Sequence, residues 1–288
     1  MKIDFIGIGA QKCASTWIYG ILSDHPEVAV YPGKEIDFFS TYYDRGYQWY
    51  EKQLAAVDSV KTVGEVSTSY FADSDTPDRV FLYNPNMRIV LSLRDPIERA
   101  YSNHLHEVRH GHFTGQSLEF ENGLINNPMY LIQSRYAQHL ARWLAVFPRN
   151  QILVIFQEDI RDAPCVQARN LYRFLGVDEN HQSWFLEKKV NESRAIKNAE
   201  VDSFLKRLRK LGQFIGGDKV VQVIRKNNLV RRLRRSHNQI DLRQVIPPIR
   251  EDTRIRLQDM LANDICEVAH QLELERLPWP SWQQYKER

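Results

Sequence analysis

Cysteine is scarce in this chain. The 288 residues contain three, Cys13, Cys165 and Cys266, far apart and in no metal-ligand spacing. That excludes a disulfide-stapled scaffold and a cysteine-built zinc site, and a reducing, cytoplasmic setting is expected. No stretch approaches the roughly 18 uninterrupted apolar residues of a membrane span. Met1 leads directly into an alternating apolar segment without a basic leader or a small-residue cleavage site, so a soluble protein without a secretory signal is expected. The net charge of +3 is too small to argue for a nucleic-acid partner, and none is expected. Hydrophobic residues at 43% and charged residues at 26% match ordinary globular proteins, which excludes global disorder.

A further absence lies in the stretch GAQKCAST at residues 9–16. It occupies the turn between a short apolar strand, Lys2 to Ile8, and a helix from Ser15 to Ser23 with Trp17, Ile18, Ile21 and Leu22 at helical spacing. A nucleoside triphosphatase would place a second glycine and a Lys-Ser/Thr pair there, the hydroxyl serving as magnesium ligand. Cys13 follows Lys12 instead. A strand-to-helix turn still aims backbone N–H groups and the positive helix end at one point. Lys12, Ser15 and Thr16 add a charge and two hydroxyls, so the turn reads as an anion site that needs no metal. The plainer alternative is a polar turn with Lys12 in solvent.

Apolar runs at Val28 to Tyr31, Lys61 to Val66, Met87 to Leu93 and Gln151 to Phe156 supply further strands, the RIVLSL run being apolar enough for cover on both faces. Asp95-Pro96 reads as N-cap and first residue of a helix ending near Gly111. Further helices are expected over 133–147 and 162–175. Alternating strands and helices predict an α/β fold, a parallel sheet of about five strands flanked by helices. Beyond residue 190 the strand signal fades and residues 198–235 and 250–273 read as amphipathic helices. The chain is therefore expected to form one domain over 1–288, an α/β core to residue 190 and a helical extension over 191–288. Residues 206–235 carry eleven Lys or Arg against one acid, Asp218. That excess suits an anionic ligand or membrane surface, or simply a solvated helix face.

A buried strand delivering Arg94 to the edge where open α/β sheets bind ligands, followed by a helix carrying Ser102, places a guanidinium and a hydroxyl beside the first turn. Arginine suits bidentate capture of a phosphate dianion; an ion pair with Asp95 or Glu98 is the alternative. These residues also carry a resemblance. QKCASTWIYGIL resembles the 5′-phosphosulfate loop, and RIVLSLRDPIERAYS the 3′-phosphate strand and helix, of sulfotransferases that use 3′-phosphoadenosine 5′-phosphosulfate (PAPS). KEIDFFSTYYDRGYQWY, GEVSTSYF and SRYAQHLARWLAVFPRNQILVIFQEDI resemble segments of the heparan-sulfate-type glycan sulfotransferases and their bacterial relatives. Together they cover most of residues 3–177.

The resemblance implies a P-loop-like fold, PAPS as sulfate donor, adenosine 3′,5′-bisphosphate (PAP) as product, and no metal. It implies that Gln11, Lys12, Cys13, Ala14, Ser15, Thr16 and Trp17 hold the phosphosulfate, with Lys12 catalytic. Arg94 and Ser102 would take the 3′-phosphate, with Tyr136, Arg194 and Lys197 completing the nucleotide site. Glu35 matches the family's base and groups with Lys34 and Asp37 on the acceptor side; His106 and His104 are rival bases. Two departures bear on the acceptor: Asp37 stands where the heparan-sulfate enzymes often carry histidine, and Val66 where they carry lysine. A polyanionic glycan is thereby disfavoured against a neutral glycan, a glycolipid or a hydroxylated small molecule. A P-loop kinase-like phosphotransferase and a non-catalytic nucleotide-binding scaffold are the competing readings.

Overall fold

The computed structural model describes residues 2–54, 61–113, 115–187, 194–196 and 239–283. Its first strand, β1 (Phe5–Gly9), is buried along its length and feeds α1 (Ser15–Asp24). There follow β2 (Val28–Val30), α2 (Gly46–Leu54), β3 (Thr62–Val66), α3 (Thr76–Tyr83), β4 (Arg88–Leu93) and α4 (Pro96–Arg109). Next come α5 (Phe120–Asn126), α6 (Met129–Ile132), α7 (Tyr136–Val146), β5 (Ile152–Phe156), α8 (Gln157–Asp162) and α9 (Pro164–Leu175). The remaining described elements are β6 (Arg194–Ile196), β7 (Gln239–Asp241), α10 (Leu242–Val245), α11 (Glu251–Gln271) and α12 (Pro280–Gln283).

Five strands form one sheet in the order β2-β3-β1-β4-β5, every neighbouring pair parallel. Each of the five apolar runs became a strand, trimmed by one or more residues at an end. Parallel strands need crossovers, and the helices supply them while covering the faces. On one face Trp17, Ile18, Ile21 and Leu22 of α1 meet Phe5, Val90 and Ile155 of the sheet and Leu171, Tyr172 and Leu175 of α9. The helix after β4 starts as expected: Asp95 Oδ1 accepts from the N–H groups of Ile97 (3.0 Å) and Glu98 (3.2 Å), and Pro96 is its first residue.

The described residues divide into two units. One is drawn from residues 2–103, 124–187 and 250–283, the other from 104–123, 194–196 and 239–249. In the first, α11 packs on α7. In the second, β6 and β7 form an antiparallel pair, Arg194 opposite Asp241. Three-residue strands that find partners some 45 residues away leave no periodicity to read. The basic stretch 206–235 and Lys197 lie outside the described residues. Among the described residues no helix is long and apolar enough to cross a membrane.

Gly64 is demanded by the closeness of β3 to β1. A Cβ built there would stand 2.3 Å from the carbonyl oxygen of Phe5 and 2.6 Å from its ring. Gly64→Ala should therefore cost about 1–3 kcal/mol through overpacking. The check is a lower urea midpoint at unchanged m-value; an unchanged midpoint contradicts the packing argument.

Candidate functional site

The turn between β1 and α1 is shaped as an anion cradle. Lys12 (φ 68°) and Ala14 (φ 67°) are both left-handed, with Cys13 between them. Alternation of this kind curls successive N–H groups toward one concavity. Helix α1 has no side-chain cap at its N-terminus and no acidic residue in its first turn, an arrangement that suits an external anion. Gln11, Lys12, Ala14, Ser15 and Thr16 are half-buried. Trp17 is different: its ring packs in the core and its N–H donates to the Ala14 carbonyl at 2.8 Å. Cys13 is also buried, and burial pushes its thiol up to about 11, which makes it a packing residue at neutral pH.

Adjacent β4 brings Arg94 to the same edge. Its guanidinium is paired with Glu98 at 3.5 Å, and Glu98 also receives Arg254 of α11 at 3.1 Å. Ser102, two turns along α4, is half-buried. Tyr136 ties the two turns together, its hydroxyl donating to the Arg94 carbonyl at 3.0 Å and lying 3.6 Å from Cys13 Sγ. With the ring fully buried, this position supports the turns from behind rather than offering a surface to a nucleotide.

Glu35 stands across the cradle. Thr68 Oγ1 donates to its carboxylate at 3.0 Å and Lys34 Nζ lies 3.8 Å from Oε1. Lys34 in turn donates to Ser15 Oγ at 2.9 Å, linking the candidate base to the anion turn. Phe38 and Phe39 anchor this segment: both are fully buried, and Phe38 stacks on Tyr50 with centroids 4.5 Å apart. Asp37 shapes the turn, with φ 53°, Oδ1 accepting from Ser69 Oγ at 2.5 Å, and its N–H donating to Ser67 Oγ at 3.0 Å.

The rival bases belong to the second unit. His104 is buried, contacts the Leu118 carbonyl through Nε2 at 2.8 Å, and burial pulls its pKa down. His106 Nδ1 accepts from Arg109 at 3.0 Å. Arg194 is described only as part of β6.

The protein-family model for a sulfotransferase domain matches residues 2–207. The chain belongs to the sulfotransferase-domain family. Among curated proteins this sulfotransferase domain is 30% identical over 192 residues to human bifunctional heparan sulfate N-deacetylase/N-sulfotransferase 2, covering 60% of this chain and 22% of that protein. It is 31% identical over 176 residues to human heparan sulfate glucosamine 3-O-sulfotransferase 3B1, covering 59% and 45% respectively. The chain thus spans less than half the length of either. A solved sulfotransferase from Alicyclobacillus acidocaldarius matches with TM-score 0.70 at 21% identity, over 96% of this chain and 98% of that one. That likeness is one of fold. The resemblance to heparan-sulfate-type enzymes and the P-loop-like fold are both borne out.

Two supports of the candidate site carry no sequence motif. Asp264 of α11 accepts from the N–H of Ala137 at 3.2 Å, setting the N-terminus of the helix that carries Tyr136. No local signal marks a contact spanning 127 residues. Glu65, fully buried at the end of β3, accepts from Ser67 Oγ and Tyr70 Oη, each at 2.6 Å, and from Tyr50 Oη at 3.3 Å. Ser67 accepts from the N–H groups of Ile36 and Asp37, so Glu65 holds the Glu35 segment through one serine.

Burial pushes Glu65 up to about 7, against which its hydroxyl donors act. The folded protein therefore keeps a proton that the unfolded chain releases near pH 4.5. Its contribution to stability is full below that pH and is lost as pH rises through about 7, on the order of 3 kcal/mol over the window. Glu65→Gln should flatten this part of the stability profile between about pH 5 and 7, read from unfolding midpoints. An unchanged slope would assign the proton elsewhere.

Proposed function

We propose that this protein transfers a sulfuryl group from PAPS to a hydroxyl, in preference to an amine, of a glycan, glycolipid or small natural product. The observation that carries this reading is the pairing of an uncapped, left-handed turn bearing Lys12 with Arg94 on the neighbouring parallel strand, in a chain of the sulfotransferase-domain family. One turn suits the phosphosulfate and the other a second phosphate on the same nucleotide. In P-loop kinases and ATPases the hydroxyl after the P-loop lysine ligates magnesium, whereas here that position is the buried, inert Cys13.

The transfer is an in-line displacement. The acceptor oxygen forms a bond to sulfur while the bond from sulfur to the 5′-phosphate oxygen breaks, and the electron pair stays on PAP. Lys12 and the turn's donors stabilise the charge that grows on that oxygen. Glu35 takes the acceptor proton, Thr68 fixing the orientation of its carboxylate.

The acceptor side differs from a polyanion cleft. Val66 is buried with its methyl groups against Gly7, so no side chain at this position reaches out as a cation. The heparan-sulfate relatives define the reaction class, and a neutral hydroxylated glycan or lipid-linked sugar suits this cleft better than heparan sulfate.

PAP should raise the melting temperature of the wild-type protein where ATP with magnesium does not. The reverse result would favour the phosphotransferase reading. Lys12→Ala should abolish transfer from labelled PAPS while the protein remains folded. Glu35→Gln should lower turnover by about 10²–10⁴-fold, with stabilisation by PAP retained. Wild-type turnover in Glu35→Gln would remove this carboxylate from the reaction.

A further inference from the structure

Lys34 was grouped with the acceptor side, yet its contacts point the other way. Its side chain is 18% exposed, and its ammonium reaches Ser15 Oγ, on the first residue of α1, at 2.9 Å. The same nitrogen is 3.8 Å from Glu35 Oε1. It therefore sits in the seam between the turn that would hold the donor and the carboxylate that would activate the acceptor. The group crossing that seam during the reaction is the sulfuryl group.

We propose that Lys34 binds the non-bridging oxygens of the sulfuryl group, acting as a second catalytic lysine beside Lys12. The inference rests on the sulfotransferase reading and adds a division of labour to it. Lys12, inside the turn, serves the leaving 5′-phosphate oxygen. Lys34, outside it, serves the sulfur end.

Three arguments support this division. An ammonium has three N–H donors, and the hydrogen bond to Ser15 uses one of them; the distance to Glu35 is that of an ion pair and too long for a hydrogen bond. Donors thus remain for an anion lying beside the Ser15 hydroxyl. Second, a carboxylate base facing a sulfuryl anion meets like-charge repulsion, and a cation set between them offsets it in both the bound and the reacting state. Third, the cation is partly withdrawn from water: burial lowers the pKa of Lys34, and Glu35 opposes that shift. A half-desolvated charge acts more strongly on a nearby anion than a solvated one.

PAPS and PAP differ at the 5′ end by the sulfuryl group, which makes the pair a direct probe requiring no known acceptor. Calorimetric affinities of both nucleotides would be compared for wild type, Lys34→Met and Lys34→Arg. Lys34→Met should weaken PAPS binding by about tenfold or more, the loss expected for one charge-assisted hydrogen bond. PAP binding should change by less than about threefold, since no bond to it is removed. Lys34→Arg should recover part of the PAPS affinity. Equal weakening of PAPS and PAP would make Lys34 a phosphate ligand and overturn the proposal. Unchanged PAPS affinity in Lys34→Met would overturn it as well. A wild-type protein that binds neither nucleotide would instead sink the sulfotransferase reading, and this inference with it.

Discussion

The parallel pairing of β1 with β4 is the constraint on which the candidate site depends. Because the two strands run side by side in the same direction, the turns that follow them open at the same sheet edge. The pairing continues past the regular ladder: the Ala10 N–H donates to the Ser92 carbonyl at 2.7 Å, and Ser92 Oγ to the Gly9 carbonyl at 3.0 Å. Tyr136 then bridges the two turns from behind. A ligand with two anionic groups is thus matched by two turns whose separation is set by the spacing of neighbouring strands, not by flexible loops. The left-handed residues Lys12 and Ala14 fit the same logic, since each costs about 1–2 kcal/mol relative to an ordinary conformation. Strain of that size persists only where surrounding packing enforces it, and here buried Cys13 and Trp17 pin the turn on both sides.

Charge is distributed around this edge in layers. Arg99 is completely buried, and its guanidinium donates to Ser134 Oγ at 2.9 Å, Gln133 Oε1 at 3.1 Å and the Tyr130 carbonyl. These acceptors are all neutral, so the cation is satisfied as a hydrogen-bonding group while its charge is left to act at longer range. It lowers the thiol pKa of Cys13, which places its field at the anion turn. Glu65 is the opposite case, a buried acid whose three hydroxyl donors supply order to the Glu35 segment. Among the described residues, a buried guanidinium with neutral acceptors lies behind the turn that would receive the donor, and a buried acid whose pKa is raised by burial lies behind the candidate base.

The sheet was legible because its strands are short apolar runs bounded by turn formers, a pattern that a doubly covered parallel sheet requires. The start of α4 was legible because Asp95-Pro96 states both capping position and first residue. The helix expected from Gln133 begins instead at Tyr136, since the side chains of Gln133 and Ser134 are drawn to Arg99 and Met129–Ile132 forms its own turn. Helix α2 went unread because it buries few side chains, Tyr50 and Leu54, and α3 because it is only eight residues long. Of the candidate site, Lys12 and Arg94 stood out as charges at turns on the ligand-binding edge of a parallel sheet, and Glu35 through the resemblance of its KExxFF segment to the glycan sulfotransferases. Lys34 was visible as a residue but its partner was not, for a contact between Ser15 and Lys34 depends on how two loops meet.

Arg94 shows how a site can hold a charged side chain in place before its ligand arrives. The ion-pair alternative open from sequence is what the structure contains, Arg94 against Glu98, and that pair alone would compete with any incoming phosphate. Arg254 changes the balance. Glu98 accepts from Arg254 through Oε1 and faces Arg94 through Oε2, so one carboxylate is shared by two guanidinium groups. Were Arg94 to turn toward another anion, Glu98 would keep a counter-ion, and the cost of leaving a half-buried carboxylate unpaired would not arise. Arg254 is itself braced by Ser281 Oγ at 3.3 Å, and Gln258 donates to the Ser281 carbonyl. The C-terminal helices α11 and α12 therefore do more than cover the core: through Arg254 they give Glu98, the partner of Arg94, a second cation, as the proposed phosphate role of Arg94 would require.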